Sequence, residues 1–455
     1  TKLIMTFSKN KKHQYLFFFI LFIFIIFNGG NSNILIQINF ILIGSLFLYC
    51  LKNKNYNLHF KFFYTKNKTS IFFYMLFLFY LVFQIIPLPI EYLKLFSPFK
   101  YNYISRLDIN IQYSSISLSP SNSFFQILNF ISLLILVFIL KMIFYTNRQK
   151  NRLFFFLTFI GAFSSSVGVY FYLIGNPDFW IIKNISKNDA TGFFINRTVF
   201  SCFLTLCFFS GIEYLKNIDH FVKNNINNFY NKIYIRIFLL FITIGIITSF
   251  SKLGNFLFIS LITLYILQAF YINDKKNKFF LITLALIVLF DVLILGFYFG
   301  SEKLLNRFSF LQSEISQYLP SINDKTFSRA EISKFALLES KKFILFGYGG
   351  GGFENLFKIN FKDLSTDYAS HAHSDLIEFI GEFGLIGITL ISLSLLFLSF
   401  KKNFFLFKNF LLCYLIIFIL IFDFSLHIPI IQLLFVLLIS VSYERSNNLK
   451  YKLKN

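Results

Sequence analysis

Apolar runs of about 17 to 25 residues, the length a helix needs to cross a bilayer, recur along most of the chain with short polar breaks between them. They fall at about 14–28, 33–51, 70–88, 123–145, 152–175, 192–216, 234–250, 253–271, 279–299, 373–400, 404–422 and 424–443. The pattern predicts an all-α, polytopic integral membrane protein of about 12 transmembrane helices. One long polar interruption separates the ninth run from the tenth, and it predicts a large outer loop there. The expected organisation is helices 1–9 in residues 1–299, a loop carrying an amphipathic helix in 300–372, and helices 10–12 with a tail in 373–455.

Charge fixes the sidedness. Positively charged short loops stay in the cytoplasm, and every second connection here is basic. Lys9, Lys11 and Lys12 precede the first run, five lysines from Lys52 to Lys68 follow the second, and Arg148, Lys150 and Arg152 follow the fourth. The alternation continues through Lys216, Lys275, Lys401 and the lysine-rich end of the chain, so both termini are expected in the cytoplasm. All seven prolines fall on or beside the opposite connections, where 87–122, 176–191 and 300–371 are the elaborate segments. Irregular structure of that size usually carries function, whereas the inner loops read as tethers. The net charge of +22 is spread over short clusters rather than one stripe, which argues against nucleic acid. The four cysteines lie inside apolar runs and behave as small hydrophobes. The first run lacks a small-residue cleavage site, so no cleaved signal peptide is expected.

Within the long loop, Ser328 and Glu331 form an S-x-x-E capping box, and Ile332, Phe335, Leu338 and Phe343 can share the apolar face of a helix. Arg329 then stands in the first turn, beside unpaired N–H groups, where a guanidinium suits a phosphate. The same spacing also describes a solvated arginine at the start of a surface helix. "GYGGGGF" at 347–353 lacks the G-K-[ST] of a phosphate loop. Taken alone it reads as a flexible connector, with a tight turn beneath a bulky substrate as the alternative. In "SHAHSDLIEFIGEFGLIG", Asp375, Glu378 and Glu382 recur at helical spacing and line one face of the tenth span, with His371 and His373 just above them. A His-x-His pair without a third ligand at a known spacing is a weak zinc signal, so no metal is expected. An imidazole is better suited to accept a hydroxyl proton. Arg197, Lys252 and Asp423 sit at outer helix ends, and with Arg329 the two cations suggest a positively charged outer cavity.

Several segments, in order, resemble the O-antigen ligase and polymerase superfamily of bacterial membrane glycosyltransferases. They are "IPLPIEYLKLFSP", "TGFFINRTVFSCFL", "TSFSKLG", "SRAEISKFAL", "FGYGGGGFENLF", "HAHSDLIEFIGEFGLIG" and "FDFSLHIPIIQLLF". The resemblance implies a twelve-helix fold with the large loop between helices nine and ten. It also implies transfer of a glycan from an undecaprenyl-diphosphate carrier to an acceptor hydroxyl on the periplasmic face of the inner membrane, without metal or other cofactor. The family's diphosphate-binding arginines fall on Lys252 and Arg329, and its essential histidine on His373. Lys252 is a departure, since lysine cannot hold a phosphate bidentately; Thr198 and Ser374 stand where the family has asparagines.

The expected enzyme is therefore an inverting glycosyltransferase with His373 catalytic, Arg329, Lys252 and Arg197 on the diphosphate, and His371, Asp375, Glu378 and Asp423 orienting groups or acceptor contacts. Its expected partners are the lipid-linked donor, a lipid A–core or glycan acceptor and membrane lipids. A repeat-unit polymerase and a protein O-oligosaccharyltransferase share these features. A lipid-linked sugar transporter fits less well, because transporters place ionisable residues near the midplane and carry internal repeats.

Overall fold

The computed structural model describes residues 2–107, 111–177, 189–221, 226–272, 285, 329–360, 368–399 and 407–442. The first half holds α1 (Lys2–Ile26), α2 (Asn33–Leu51), α3 (Lys54–Lys66), α4 (Lys68–Ile85), the short α5 (Ile90–Phe96) and α6 (Pro98–Arg106), α7 (Pro120–Ile143) and α8 (Asn147–Ile174). There follow α9 (Arg197–Phe221), α10 (Ile226–Thr248), α11 (Lys252–Ile272), α12 (Arg329–Ser340), α13 (Phe353–Asn360), α14 (Asp375–Ser399), α15 (Phe407–Phe422) and α16 (Pro429–Ser442). A two-residue antiparallel pair, Leu88–Pro89 with Tyr113–Ser114, ties the ends of the α4–α7 connection together. Among the described residues eight helices, α2, α4, α7 to α11 and α14, are long and apolar enough to cross a membrane; α15 and α16 are shorter apolar helices. The expected span at 279–299 and most of the expected outer loop lie outside the described residues.

The helices begin where local chemistry starts them. Ser32 caps α2 by accepting from Leu35 N, and Thr146 and Gln149 form a reciprocal capping box at α8. Pro120 opens α7 and Pro429 opens α16, positions where a missing N–H costs nothing. α9 is buried along its apolar span and packs against α8, α10, α11 and α16, so it is the centre of the bundle. Between α4 and α14 two hydroxyls replace apolar contact: Ser70 Oγ donates to Ser394 O at 2.8 Å and Ser394 Oγ to Ser70 O at 2.9 Å.

Three readings change. The basic segment after α2 is a helix, α3, rather than a tether; the Asn53 side chain caps it, and Tyr56 and Phe63 bury its inner face. In α12 the buried face runs through Ile332, Ala336, Glu339 and Ser340, with Phe335 packed beside it, whereas Leu338 is exposed. A 100° step per residue carries position 338 off the stripe that 332 and 336 define.

The third change concerns the glycines. α14 is interrupted at Gly384 (φ +61°, ψ 179°), and the backbone groups freed there pair with residues 344–349. Tyr348 N donates to Gly381 O (2.9 Å), Gly349 N to Glu382 O (3.0 Å) and Leu385 N to Ile344 O (2.8 Å). From α4, Tyr80 Oη donates to Phe346 O (2.7 Å) and Phe383 O (3.0 Å), while Gln84 Nε2 donates to Phe346 O (2.7 Å) and Glu382 O (3.0 Å). A broken helix at membrane depth persists only when its polar groups are satisfied in this way. The glycine segment is thus a docked part of the bundle, not a connector. Gly347 has φ +68°, and a Cβ on it would stand 2.1 Å from Glu382 O; one on Gly384 would stand 2.3 Å from Leu345 O.

Candidate active site

One end of the bundle gathers nearly every residue singled out above. There the α1–α2 turn meets the segment before α9 through Ile195 N to Asn28 Oδ1 (3.2 Å). The start of α14 meets the α15–α16 turn through Asp375 N to Asp423 O (2.9 Å), and the start of α7 meets α16 through Asn129 Nδ2 to Gln432 Oε1 (2.7 Å). At the opposite end lie the basic segments, locked by Arg152 to Gln14 (3.1 Å), Lys216 to Gln268 (2.6 Å) and Lys141 to Ser440 O (2.7 Å).

The expected acidic stripe is real and is fully buried. Asp375, Glu378 and Glu382 face inward from the first turns of α14, each at most 1% exposed. Three buried carboxylates require partners, and the partner they share is His427, in the 3-10 turn Ser425–His427 ahead of α16. Its Nδ1 bonds Asp375, and its Nε2 lies 3.4 Å from both Glu378 and Glu382. Burial opposes charge on this imidazole, but Glu378 and Asp375 outweigh it and hold the pKa well above the ordinary histidine value. Backbone donors complete the set: Leu426 N to Asp375 (2.7 Å), Ala372 N to Glu378 (2.7 Å) and Gly351 N to Glu382 (2.6 Å). The glycine segment therefore supplies one of the stripe's hydrogen bonds.

His427 is the site residue that sequence reasoning passed over. It stands four residues after Asp423 in a motif already singled out. The signal was available: three carboxylates on one membrane-helix face need a cation, and this turn offers one at the same end.

His371 and His373 differ in kind. His371 Nδ1 bonds Glu378 at 3.0 Å, and its ring stacks on Phe424 with centroids 4.8 Å apart. His373 has a left-handed backbone (φ +57°), which is uncommon for a residue with a Cβ, and strain of this kind clusters at active sites. Its Nδ1 is buried and makes no hydrogen bond among the described residues. Burial, then the charge of Arg329 and the neighbouring His371, lower its pKa from 6.5 to about 4, so the ring is neutral at physiological pH. Arg329 opens α12 and is exposed, and Ser333 Oγ donates to Ala372 O (2.8 Å), which docks this helix on the histidine segment. The same guanidinium acts on Asp423, whose carboxyl burial pushes up while its Ser425 bond and Arg329 pull it down. The charge of Arg329 thus reaches both His373 and Asp423. Ser328, the other half of the expected capping box, lies outside the described residues.

The remaining cations are placed separately. Arg197 opens α9 and is ion-paired with Asp189 at 2.7 Å. Lys252 opens α11, with an exposed side chain. Thr198 and Ser374 are buried, and Thr198 N donates to Asn196 Oδ1 (2.7 Å).

His371, Glu378 and His427 bring their ligating atoms within 4.8 Å of one another, a spacing a metal ion can use. Both nitrogens of His427 are already committed to carboxylates, however, and a protonated imidazole has no lone pair to give.

No curated protein matches the chain. Residues 237–392 match the family model described as O-antigen ligase. That stretch runs from α10 through the glycine segment to α14, and the match is consistent with the resemblance to the O-antigen ligase superfamily read from the motifs.

Proposed function

We propose that the chain is an O-antigen ligase-like glycosyltransferase that moves a glycan from an undecaprenyl-diphosphate carrier to an acceptor hydroxyl, on lipid A–core or on a growing polysaccharide. The site end of the bundle faces the periplasm and the basic end the cytoplasm, as the lysine alternation requires. The observation that carries the reading is a neutral imidazole at His373, its buried Nδ1 without a hydrogen bond among the described residues, within reach of the charge of Arg329.

In this mechanism Arg329 binds the carrier diphosphate bidentately, and Lys252 and Arg197 add positive charge at the same end. His373 takes the acceptor O–H proton as the oxygen attacks the anomeric carbon; the bond from that carbon to the diphosphate oxygen breaks, and the configuration inverts. Stabilising the departing charge is the larger contribution, since one such contact is worth about a hundredfold or more in rate. Asp375 and Asp423 fix the histidine segment rather than touch substrate, and Glu378 orients His371 beside the acceptor. A second reading has a specific observation behind it: Glu378 orients His371, which gives His371 the carboxylate–imidazole arrangement of a general base.

The test is the Arg329 pair. Arg329→Ala is expected to lower transfer at least a hundredfold with normal insertion, and Arg329→Lys to restore part of it, because charge returns without the fork. Wild-type rates in Arg329→Ala would remove the diphosphate assignment.

A further inference from the structure

A cavity of about 230 Å³ opens beside the histidines, and its chemistry differs from that of a phosphate site. Its walls come from the α1–α2 turn, the first turns of α7, the glycine segment and the α15–α16 turn. Six carboxamides line it: Asn31, Asn33, Asn122, Gln126, Asn129 and Gln432. Phe125, Phe130 and Phe379 line it as well, together with His371, His427, Glu354 and Glu378. Among the described lining residues there is no lysine or arginine.

The carboxamides are held in place. Asn129 Nδ2 donates to Gln432 Oε1 (2.7 Å), and Gln432 Nε2 donates to Leu426 O (2.6 Å), in the turn that carries His427. Asn122 Nδ2 donates to Gly351 O (3.2 Å), and Asn33 Nδ2 reaches Asn122 Oδ1 (3.5 Å). Gln126 Oε1, by contrast, is buried with no hydrogen-bond donor among the described residues. A buried acceptor without a donor is costly, and a ligand hydroxyl entering beside Gln126 can supply one.

We infer that this cavity is the subsite for the acceptor's terminal sugar, a single neutral, hydroxyl-rich ring read by carboxamides and stacked on phenylalanine. Fixed carboxamides offer a donor and an acceptor together, which matches the vicinal hydroxyls of a sugar. The volume lies below the about 300–1,000 Å³ of sites for drug-sized ligands, so it takes one ring rather than an oligosaccharide. The absence of lysine and arginine from the described lining separates it from the diphosphate, since the charge of His427 is taken up by its own carboxylates. In-line displacement also demands that the acceptor approach from the side away from the leaving group, hence away from Arg329. This assignment rests on the glycosyl-transfer reading above.

The test measures transfer in membranes with two probes, lipid A–core oligosaccharide and free repeat-unit oligosaccharide from the source's own envelope, against its lipid-diphosphate glycan. Gln126→Ala and Asn33→Ala are each expected to raise the acceptor KM about tenfold for whichever probe is the true acceptor, with the donor KM within about twofold of wild type. Asn33 is exposed, so its variant keeps the question open if Gln126→Ala fails to fold. A raised donor KM with an unchanged acceptor KM would assign the cavity to the donor sugar and overturn the inference, as would both constants staying at wild-type values. Failure of the wild-type protein to transfer to either probe would instead overturn the function proposed above.

Discussion

His427 shows what a single residue can decide in a membrane interior. Removing it leaves Asp375, Glu378 and Glu382 buried without their common cation. Breaking a buried charged set in this way costs about 3–5 kcal/mol. His427→Ala is therefore expected to lower the yield and thermal stability of the detergent-extracted protein, and His427→Gln to recover little; a stable alanine variant would mean the carboxylates have other partners. The sign of the pH effect at His373 is opposite. Its pKa is depressed to about 4, so between about 6.5 and 4 an unfolded chain takes up a proton that the folded site refuses. If His373 is the base, transfer holds steady as pH falls through that window and is lost only near 4. Residual transfer in Arg329→Ala should fall off at a higher pH, because one charge that lowers the pKa is gone. An acid limb near 6.5 in the native protein would contradict this. The candidate residues were legible in the sequence as residue types at helical spacing, but their pairings were not. Which histidine meets which carboxylate depends on the α15–α16 turn, some fifty residues further along the chain.

Among the elements, some helices that follow from hydropathy were legible nearly to their ends, whereas α1, expected at 14–28, spans Lys2–Ile26, and α9, expected at 192–216, spans Arg197–Phe221. α2 was expected at 33–51 and spans Asn33–Leu51, and α14 was expected at 373–400 and spans Asp375–Ser399. The break within α14 was not legible, since "GEFGLIG" fits an uninterrupted helix as well as a broken one. What settles it is main-chain pairing with residues 344–349, a long-range event that periodicity does not encode. Both sides of that pairing need glycine, for φ and for the close backbone approach. Gly384→Ala and Gly347→Ala are thus expected to abolish stable expression, whereas Gly44→Ala in α2, with nothing within 4 Å of the added Cβ, should behave like wild type. Stable Gly384→Ala protein with normal transfer would show that the break is dispensable. α3 was missed for a related reason: its apolar face is short and its lysines masked it as a loop.

For the whole molecule, the bundle places a buried acidic stripe, its histidines, an arginine-led helix and a carboxamide cavity at one end, and the basic segments at the other. Such a division suits an enzyme that receives lipid-linked substrate from the membrane and carries out transfer at one surface. If His373 is the base of that transfer and no metal takes part, the two histidines separate in one assay: in-membrane transfer of a lipid-diphosphate-linked glycan by His373→Ala and His371→Ala, each with and without EDTA. His373→Ala is expected to lose transfer on the order of a hundredfold or more. A smaller loss is expected for His371→Ala, and no effect of chelator. Wild-type rates in His373→Ala, or equal losses in both variants together with inactivation by EDTA, would contradict this reading.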